Sequence, residues 1–261
     1  MSKTVDIEAM YQHLEDTVRS YNPSANFQLI RQAYEFARDQ HGAQLRKDGS
    51  PFVTHPLAVA QIVAEELHLD SESIEAALLH DTGKITTFTR DATGRGHFYG
   101  HAKESARIGD AVLRRLKAPT ALREAAVLLI EKHMTRLLPE EKFLRRQAAK
   151  LGFPFLYKLL TLQKADMGSK GTGEDDGSAL FAQTEEMLHK LEAEHLCLSL
   201  KDLAVNGSDL MALGFSGRAI GTCLNALLGE VLEQRLPNER QALLAFAEKS
   251  ILARRTDKQI L

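Results

Sequence analysis

The sequence predicts an all-α protein, a helical core over residues 1–175 followed by a smaller helical tail over 176–261. Apolar residues recur three and four apart along most of the chain, the period of a helix that buries one face. Proline is scarce, 7 residues in 261, so few such patterns are interrupted. Runs of β-branched residues are short, which leaves little material for a sheet. With 44% hydrophobic and 26% charged residues, the chain has the apolar surface to bury a core, and wholesale disorder is excluded.

Taken in order, residues 5–19, 24–41, 56–69 and 71–81 each read as amphipathic helices. Pro23-Ser24 offers a start for the second, and Asp70-Ser71 offers N-caps for the fourth. Residues 42–54 (GAQLRKDGSPFVT) carry turn formers and read as a loop. After Asp81 the helical period breaks. Residues 82–100 (TGKITTFTRDATGRGHFYG) read as an irregular loop with a short hairpin across Asp91-Ala92-Thr93-Gly94. Helix returns over 102–117, 119–134, 139–150 and 153–167. The polar, glycine-rich stretch 168–178 is a linker, and 179–196 is a long helix. Residues 200–255 read as three short helices around Gly207, Gly214 and Gly217, with Pro237-Asn238 opening the last. The apolar residues Ala76, Leu78, Leu79, Leu159 and Leu160 are expected in the core.

Charge and cysteine content narrow the function. Lys plus Arg is 33 and Asp plus Glu is 35, a net charge of -2, which argues against a protein that coats nucleic acid. The pairs Arg114-Arg115, Arg145-Arg146 and Arg254-Arg255 read as solvated helix faces, so RNA or tRNA is an open but not a favoured partner. Cys197 and Cys223 stand alone, which excludes a disulfide framework and a cysteine zinc site. The first residues, MSKTVDIEAMYQHLED, hold no apolar run, so no secretory signal is expected. No stretch approaches the ~20 apolar residues of a membrane span. A cytoplasmic protein without a membrane partner is expected, and its oligomeric state is left open.

Chemistry concentrates on histidine and aspartate. His80-Asp81 ends an apolar helix, IEAALLHD, where both side chains can turn toward one divalent ion. His55 precedes Pro56 at a helix start 25 residues upstream. Asp166 ends a helix 85 residues downstream, where a carboxylate is unfavourable unless something cationic faces it. Two histidines and two aspartates from helix ends make a four-ligand site with positions left for water and phosphate oxygens.

The order His…His-Asp…Asp on helices of this kind resembles the HD phosphohydrolase superfamily, which implies an HD-type helical core. Residues 28–81, with HGAQLRKDGSPFVTHPLAVAQIVAEELHLDSESIEAALLHD, resemble the hydrolase domain of the RelA/SpoT alarmone enzymes. That likeness implies His55 as a metal ligand and Arg46 and Lys47 as nucleotide-binding residues. Residues 80–250, with HDTGKITTFTRDATGRGHFYGHAKESA, EKHM and LQKADMG, resemble the HD and tail region of bacterial CCA-adding tRNA nucleotidyltransferases. No nucleotidyltransferase head is present here, so nucleotide addition is not expected.

Thr82-Gly83-Lys84 resembles the HD-x-G-K form of phosphodiesterase branches, which implies Lys84 as a catalytic cation on the phosphate beside Asp81. In two-metal branches two further histidines hold a second ion, and His101 and His133 match those places, with Asp81 bridging. His97 is set aside because Tyr99-Gly100 breaks the helix between it and His101. His13, His41, His68, His189 and His195 read as structural or surface residues. Arg95 and Tyr99 face a phosphorylated ligand, alongside Lys84.

The expectation is a divalent-metal-dependent phosphohydrolase or phosphodiesterase acting on a nucleotide, a 2′,3′-cyclic phosphate or phosphomonoester first. One or two ions are expected, Mn first, with Ni, Fe, Mg and Co as alternatives. A (p)ppGpp-type alarmone hydrolase is one alternative, although TGKITT stands where that family carries an acidic pair. A tRNA- or RNA-binding module with a non-catalytic site is the other.

Overall fold

Local capping chemistry sets where the helices begin. The computed structural model describes residues 5–46, 48–67, 70–169, 177–194 and 196–257, of which 66, 67 and 250–257 are described by backbone alone. Asp6 accepts a hydrogen bond from the Ala9 amide at 3.0 Å and opens α1 (Ile7–Tyr21). Asn26 opens α2 (Phe27–His41), accepting from the Leu29 amide at 3.1 Å. The start expected at Pro23-Ser24 is therefore displaced. Ser24 Oγ is engaged with Asn22 Oδ1, and the Asn26 side chain takes the orphan amide instead. Helix α3 spans Thr54–Leu67 and α4 spans Ser71–Leu79.

Seven of the nine residues of α4, Ser73 to Leu79, are buried, so this short helix runs through the core rather than over it. Ala76, Leu78, Leu79, Leu159 and Leu160 are all buried, as expected. A 3-10 turn at Thr82–Lys84 follows, then strands β1 (Thr89–Arg90) and β2 (Gly96–His97). These pair antiparallel, Thr89 opposite His97 and Arg90 opposite Gly96. The hairpin lies where the sequence put it. Asp91 closes its turn by accepting from the Thr93 amide at 2.9 Å and the Arg95 amide at 3.0 Å. Helices α5 (His101–Arg115) and α6 (Thr120–Lys132) pack on each other, and α6 packs on α4.

The remaining helices are α7 (Glu141–Leu151), α8 (Phe153–Gly168), α9 (Ser178–Ala193), α10 (Gly207–Ala212), α11 (Arg218–Leu232) and α12 (Arg240–Asp257). The chain divides into two compact units. One holds the residues up to Arg136 and those from Tyr157 to Phe181; the other holds Leu137–Leu156 and the residues from Ala182 onward. Residues 137–156, placed in the first domain by the sequence reading, thus group with the tail helices.

Ion pairs within the second unit give part of the reason. Arg145 bonds Glu194 at 3.1 Å and Arg146, which is exposed as a solvated face requires, bonds Glu233 at 2.8 Å. The apolar centre of this unit is built on Leu210, Leu227, Leu243 and Ala247. Asn206 and Asp209 form a capping box at the start of α10. Helices α11 and α12 run 15 and 18 residues, longer than the short helices expected. Asn238 braces the chain before α12, accepting from the Ala204 amide at 2.9 Å and donating to Asp202 O at 2.8 Å. No described helix is long and apolar enough to cross a membrane.

Candidate metal centre

Three histidines of the first unit are set by one local device. His80 follows α4, His133 follows α6, and His101 opens α5. Each ring lies against the carbonyl three residues earlier: His80 Nδ1 to Ala77 O at 2.7 Å, His101 Nδ1 to Phe98 O at 2.9 Å, His133 Nδ1 to Ile130 O at 2.6 Å. A carbonyl only accepts, so each Nδ1 carries a proton, and Nε2 is the atom each ring has left to present to a cation.

His55, in the first turn of α3, is held differently. Its Nδ1 lies 2.8 Å from Ser169 Oγ. That hydroxyl donates to Asp166 O at 3.0 Å, so it accepts from the ring and leaves His55 Nε2 as the lone pair. Gly83 brings the turn after Asp81 onto α5. A Cβ there would stand 2.6 Å from Ser105 N and 2.7 Å from His101 O, so only glycine permits the approach. The Gly83 amide then donates to Ser105 Oγ at 2.8 Å.

The four Nε2 atoms converge on two carboxylates. His55 Nε2 stands 3.3 Å from Asp81 Oδ2 and 3.1 Å from Asp166 Oδ1. His80 Nε2 stands 3.4 and 3.7 Å from the same two oxygens. Asp81 Oδ1 faces His101 Nε2 at 3.6 Å, and His101 Nε2 lies 3.2 Å from His133 Nε2. Two groups of potential ligands result, His55–His80–Asp81 and Asp81–His101–His133, with Asp81 common to both. Lys84 Nζ donates to Asp81 Oδ2 at 2.6 Å.

This donor set fits a divalent cation. The Nε2 atoms of His55 and His80 are buried and make no hydrogen bond. Two neutral imidazoles that face each other by their lone pairs, as His101 and His133 do, repel unless a cation accepts both. Atoms bound to one ion at about 2.1 Å stand roughly 3 Å from their neighbours, the range seen here. Burial, the nearby His80 and other contacts bring His133 down to about 4, which keeps its ring neutral. Burial opposes charge on Asp81, but His80, His55 and Lys84 outweigh it and hold its carboxyl well below the usual range. At His80 burial disfavours the charged ring, yet Asp81 and Asp166 prevail and raise it. Nitrogen and oxygen donors suit Mn, Fe, Co, Ni or Zn without choosing among them.

A cavity of about 650 Å³ opens onto the centre, lined among others by Asp81, Lys84, Tyr99, His101, His133 and Asp166. Tyr99 is 76% exposed and stacks on His97 at 5.0 Å between ring centroids. His97 bonds Asp91 at 2.7 Å, belongs to the hairpin and also lines the cavity. Arg95 is exposed on the hairpin turn and does not line the cavity. Arg46 is drawn elsewhere: its guanidinium donates to Ser169 O at 2.9 Å, bracing the end of α8. Lys47, His68 and His195 lie outside the described residues. Ser169 was missed by sequence reasoning. It stands 114 residues from His55 in a polar stretch, and nothing in its local pattern marks it.

Residues 103–247, more than half of the chain, match the family described as tRNA nucleotidyltransferase domain 2, putative. Residues 33–98 match the HD domain. His55, His80 and Asp81 fall in the second match, His133 and Asp166 in the first, and His101 between the two. A probable GTP pyrophosphokinase of Mycobacterium leprae is 34% identical over 148 residues, 49% of this chain and 18% of that protein. The GTP pyrophosphokinase rsh of Brucella ovis is 46% identical over 77 residues, 30% of this chain and 10% of that protein. The bifunctional (p)ppGpp synthase/hydrolase SpoT of Escherichia coli is 44% identical over 80 residues, 31% of this chain and 11% of that protein. The chain therefore spans between 10% and 18% of the length of these relatives.

Proposed function

Because the chain belongs to the tRNA nucleotidyltransferase domain 2, putative, family and carries an HD-type metal site, we propose that it is a divalent-metal-dependent hydrolase of a nucleotide phosphate ester. The observation that carries this reading is the shared carboxylate of Asp81, with two histidine Nε2 atoms facing each of its oxygens or their partners. His55, His80, Asp81 and Asp166 would hold one ion; Asp81, His101 and His133 would hold a second. Such ions polarise a phosphate and ease the deprotonation of water. Manganese is the ion we expect, with Ni, Fe, Mg and Co as the alternatives to test.

The protein's own groups do the rest. Lys84, at the edge of the cavity, offers a fixed cation to phosphate oxygens as charge grows on them. The Nδ1–carbonyl bonds keep each imidazole in one tautomer and one orientation throughout. Tyr99 lines the cavity and is exposed, which supports a contact with the ligand. Arg46 acts through Ser169 as a positioning residue, in place of the nucleotide contact expected of it. Arg95 and Lys47 remain candidates for substrate contact from the hairpin and the loop.

Similarity to the (p)ppGpp synthase/hydrolase favours (p)ppGpp over the 2′,3′-cyclic phosphate or phosphomonoester first expected. A second reading, the cyclic phosphate, keeps one observation of its own. Between Asp81 and Phe88 there is no carboxylate, and Lys84 occupies that turn instead. Product analysis on Mn-loaded protein decides between them. The panel holds guanosine tetraphosphate, 2′,3′- and 3′,5′-cyclic nucleotides and mononucleotides, with Asp81→Ala as control. Pyrophosphate release from guanosine tetraphosphate, lost in the control, is expected. Turnover of a cyclic nucleotide alone would move the substrate class. Silence across the panel with Mn, Ni, Fe, Co and Mg would overturn the hydrolase and favour a binding module.

A further inference from the structure

A second cavity, of about 440 Å³, lies beside the metal centre. The end of α2 and the loop after it contribute Gln40, Gln44 and Leu45; the segment after the 3-10 turn contributes Ile85, Phe88 and Phe98. Lys84 and Phe98 line this cavity and the metal cavity alike, so the two adjoin through one cation and one aromatic ring.

Three of its apolar residues are unusually open. Leu45 is 62% exposed, Phe88 47% and Ile85 37%. Large apolar side chains clustered at the surface of one cleft mark a place where something apolar sits. Phe88 is also fixed in place. It lies against Gly96 of β2, where a Cβ would stand 2.6 Å from its ring, and its centroid is 5.4 Å from that of Phe98. Arg90 lies 5.7 Å from the Phe88 centroid, and Lys84 Nζ 5.7 Å from that of Phe98. The result is a preset aromatic platform flanked by cations. Gln44 Oε1 is engaged by His41 Nδ1 at 3.0 Å, so its amide nitrogen is the group that can meet the edge of a ligand.

We propose that this cleft seats the base of a nucleotide whose phosphate lies in the metal cavity, with Lys84 at the junction. The proposal rests on the hydrolase reading for its ligand class. A flat heterocycle matches the parts: faces for Phe88 and Phe98, an edge for the amides of Gln40 and Gln44, and a phosphate for Lys84. The volume falls in the range of small-molecule sites and holds a base with its ribose.

The test is equilibrium binding to the full-length, Mn-loaded chain, which does not depend on turnover. GMP and ribose 5-phosphate differ only in the base. GMP should bind at least about tenfold tighter, the scale of a base stacked on aromatic rings. Phe88→Ala should erase most of that ratio while ribose 5-phosphate binding stays the same. Phe88→Leu, which keeps an apolar side chain without the π-face, should fall between. Equal binding of the two ligands, no GMP binding at millimolar concentration, or an unchanged ratio in Phe88→Ala would overturn the base site. A chain that turns over nothing yet shows the ratio loses the hydrolase and keeps the cleft. An active enzyme indifferent to the base does the reverse.

Discussion

Ser169 illustrates how much rests on one hydroxyl. It accepts a hydrogen bond from His55 Nδ1, donates one to Asp166 O, and has its carbonyl held by Arg46. Partners of this kind behind a ligand are worth roughly 10–100-fold in metal affinity. Ser169→Ala should weaken Mn binding by that factor in calorimetry while the metal-free melting temperature holds. An unchanged affinity would remove Ser169 from the site. Glu75, in the middle of α4, is a different case. It is fully buried and neither oxygen makes a hydrogen bond. Burial first, then Glu72 and Asp70, push its carboxyl from the ordinary 4.5 up to about 8; Lys158 of α8 is engaged with those two acids. Between these values the folded chain keeps a proton that the unfolded chain releases. Stability is therefore full below about pH 4.5 and falls as pH rises to about 8, on the order of 3 kcal/mol of it lost by pH 7. Glu75→Met should raise the melting temperature more at pH 8 than at pH 5. An equal change at both would show that the carboxyl titrates normally.

At the scale of elements, helix ends make the centre. His80 and His133 follow the C-termini of α4 and α6, and Asp166 lies in the last turn of α8. Three C-terminal dipole ends around one cavity favour a cation there, and each alone contributes about 0.3–1 kcal/mol at an exposed end. The 3-10 turn must then press against α5 to bring Asp81 beside His101. Gly83→Ala places a methyl on backbone atoms of Ser105 and His101 that cannot move aside. We expect a lower melting temperature together with weaker binding at the Asp81–His101–His133 group. A variant with wild-type stability and metal stoichiometry would show the approach to be unneeded. Most of the helices were legible in the sequence because they bury a stripe at helical spacing, and the hairpin because Asp91 and Gly94 supply its turn. The start of α2 was not, since several polar residues precede it and only Asn26 reaches the right amide.

For the whole molecule, the first unit carries the metal site and its stability should follow metal occupancy. At a concentration a hundred times Kd, an ion bound only by the folded state adds about 2.7 kcal/mol. Mn should raise the melting temperature of wild type and EDTA should reverse it, while Asp81→Ala responds to neither. A melt indifferent to Mn would argue against a preformed site. The second unit holds no proposed ligand, and its ion pairs Arg145–Glu194 and Arg146–Glu233 tie α7 to the tail helices.

The sequence by itself determined the all-α class, the order of the helices and the six histidines and aspartates to watch. The class, the helix order and the set His55, His80, Asp81 and Asp166 follow from helical periodicity, turn chemistry and the donors that divalent ions accept, while His101 and His133 came from the resemblance to two-metal HD proteins. Tertiary structure alone decided that Arg46 braces α8 rather than opening toward the cavity, and that Ser169 backs His55. It also decided that residues 137–156 join the tail. These outcomes depend on which distant surfaces meet, and a contact spanning 114 residues leaves no periodic trace in the chain that makes it.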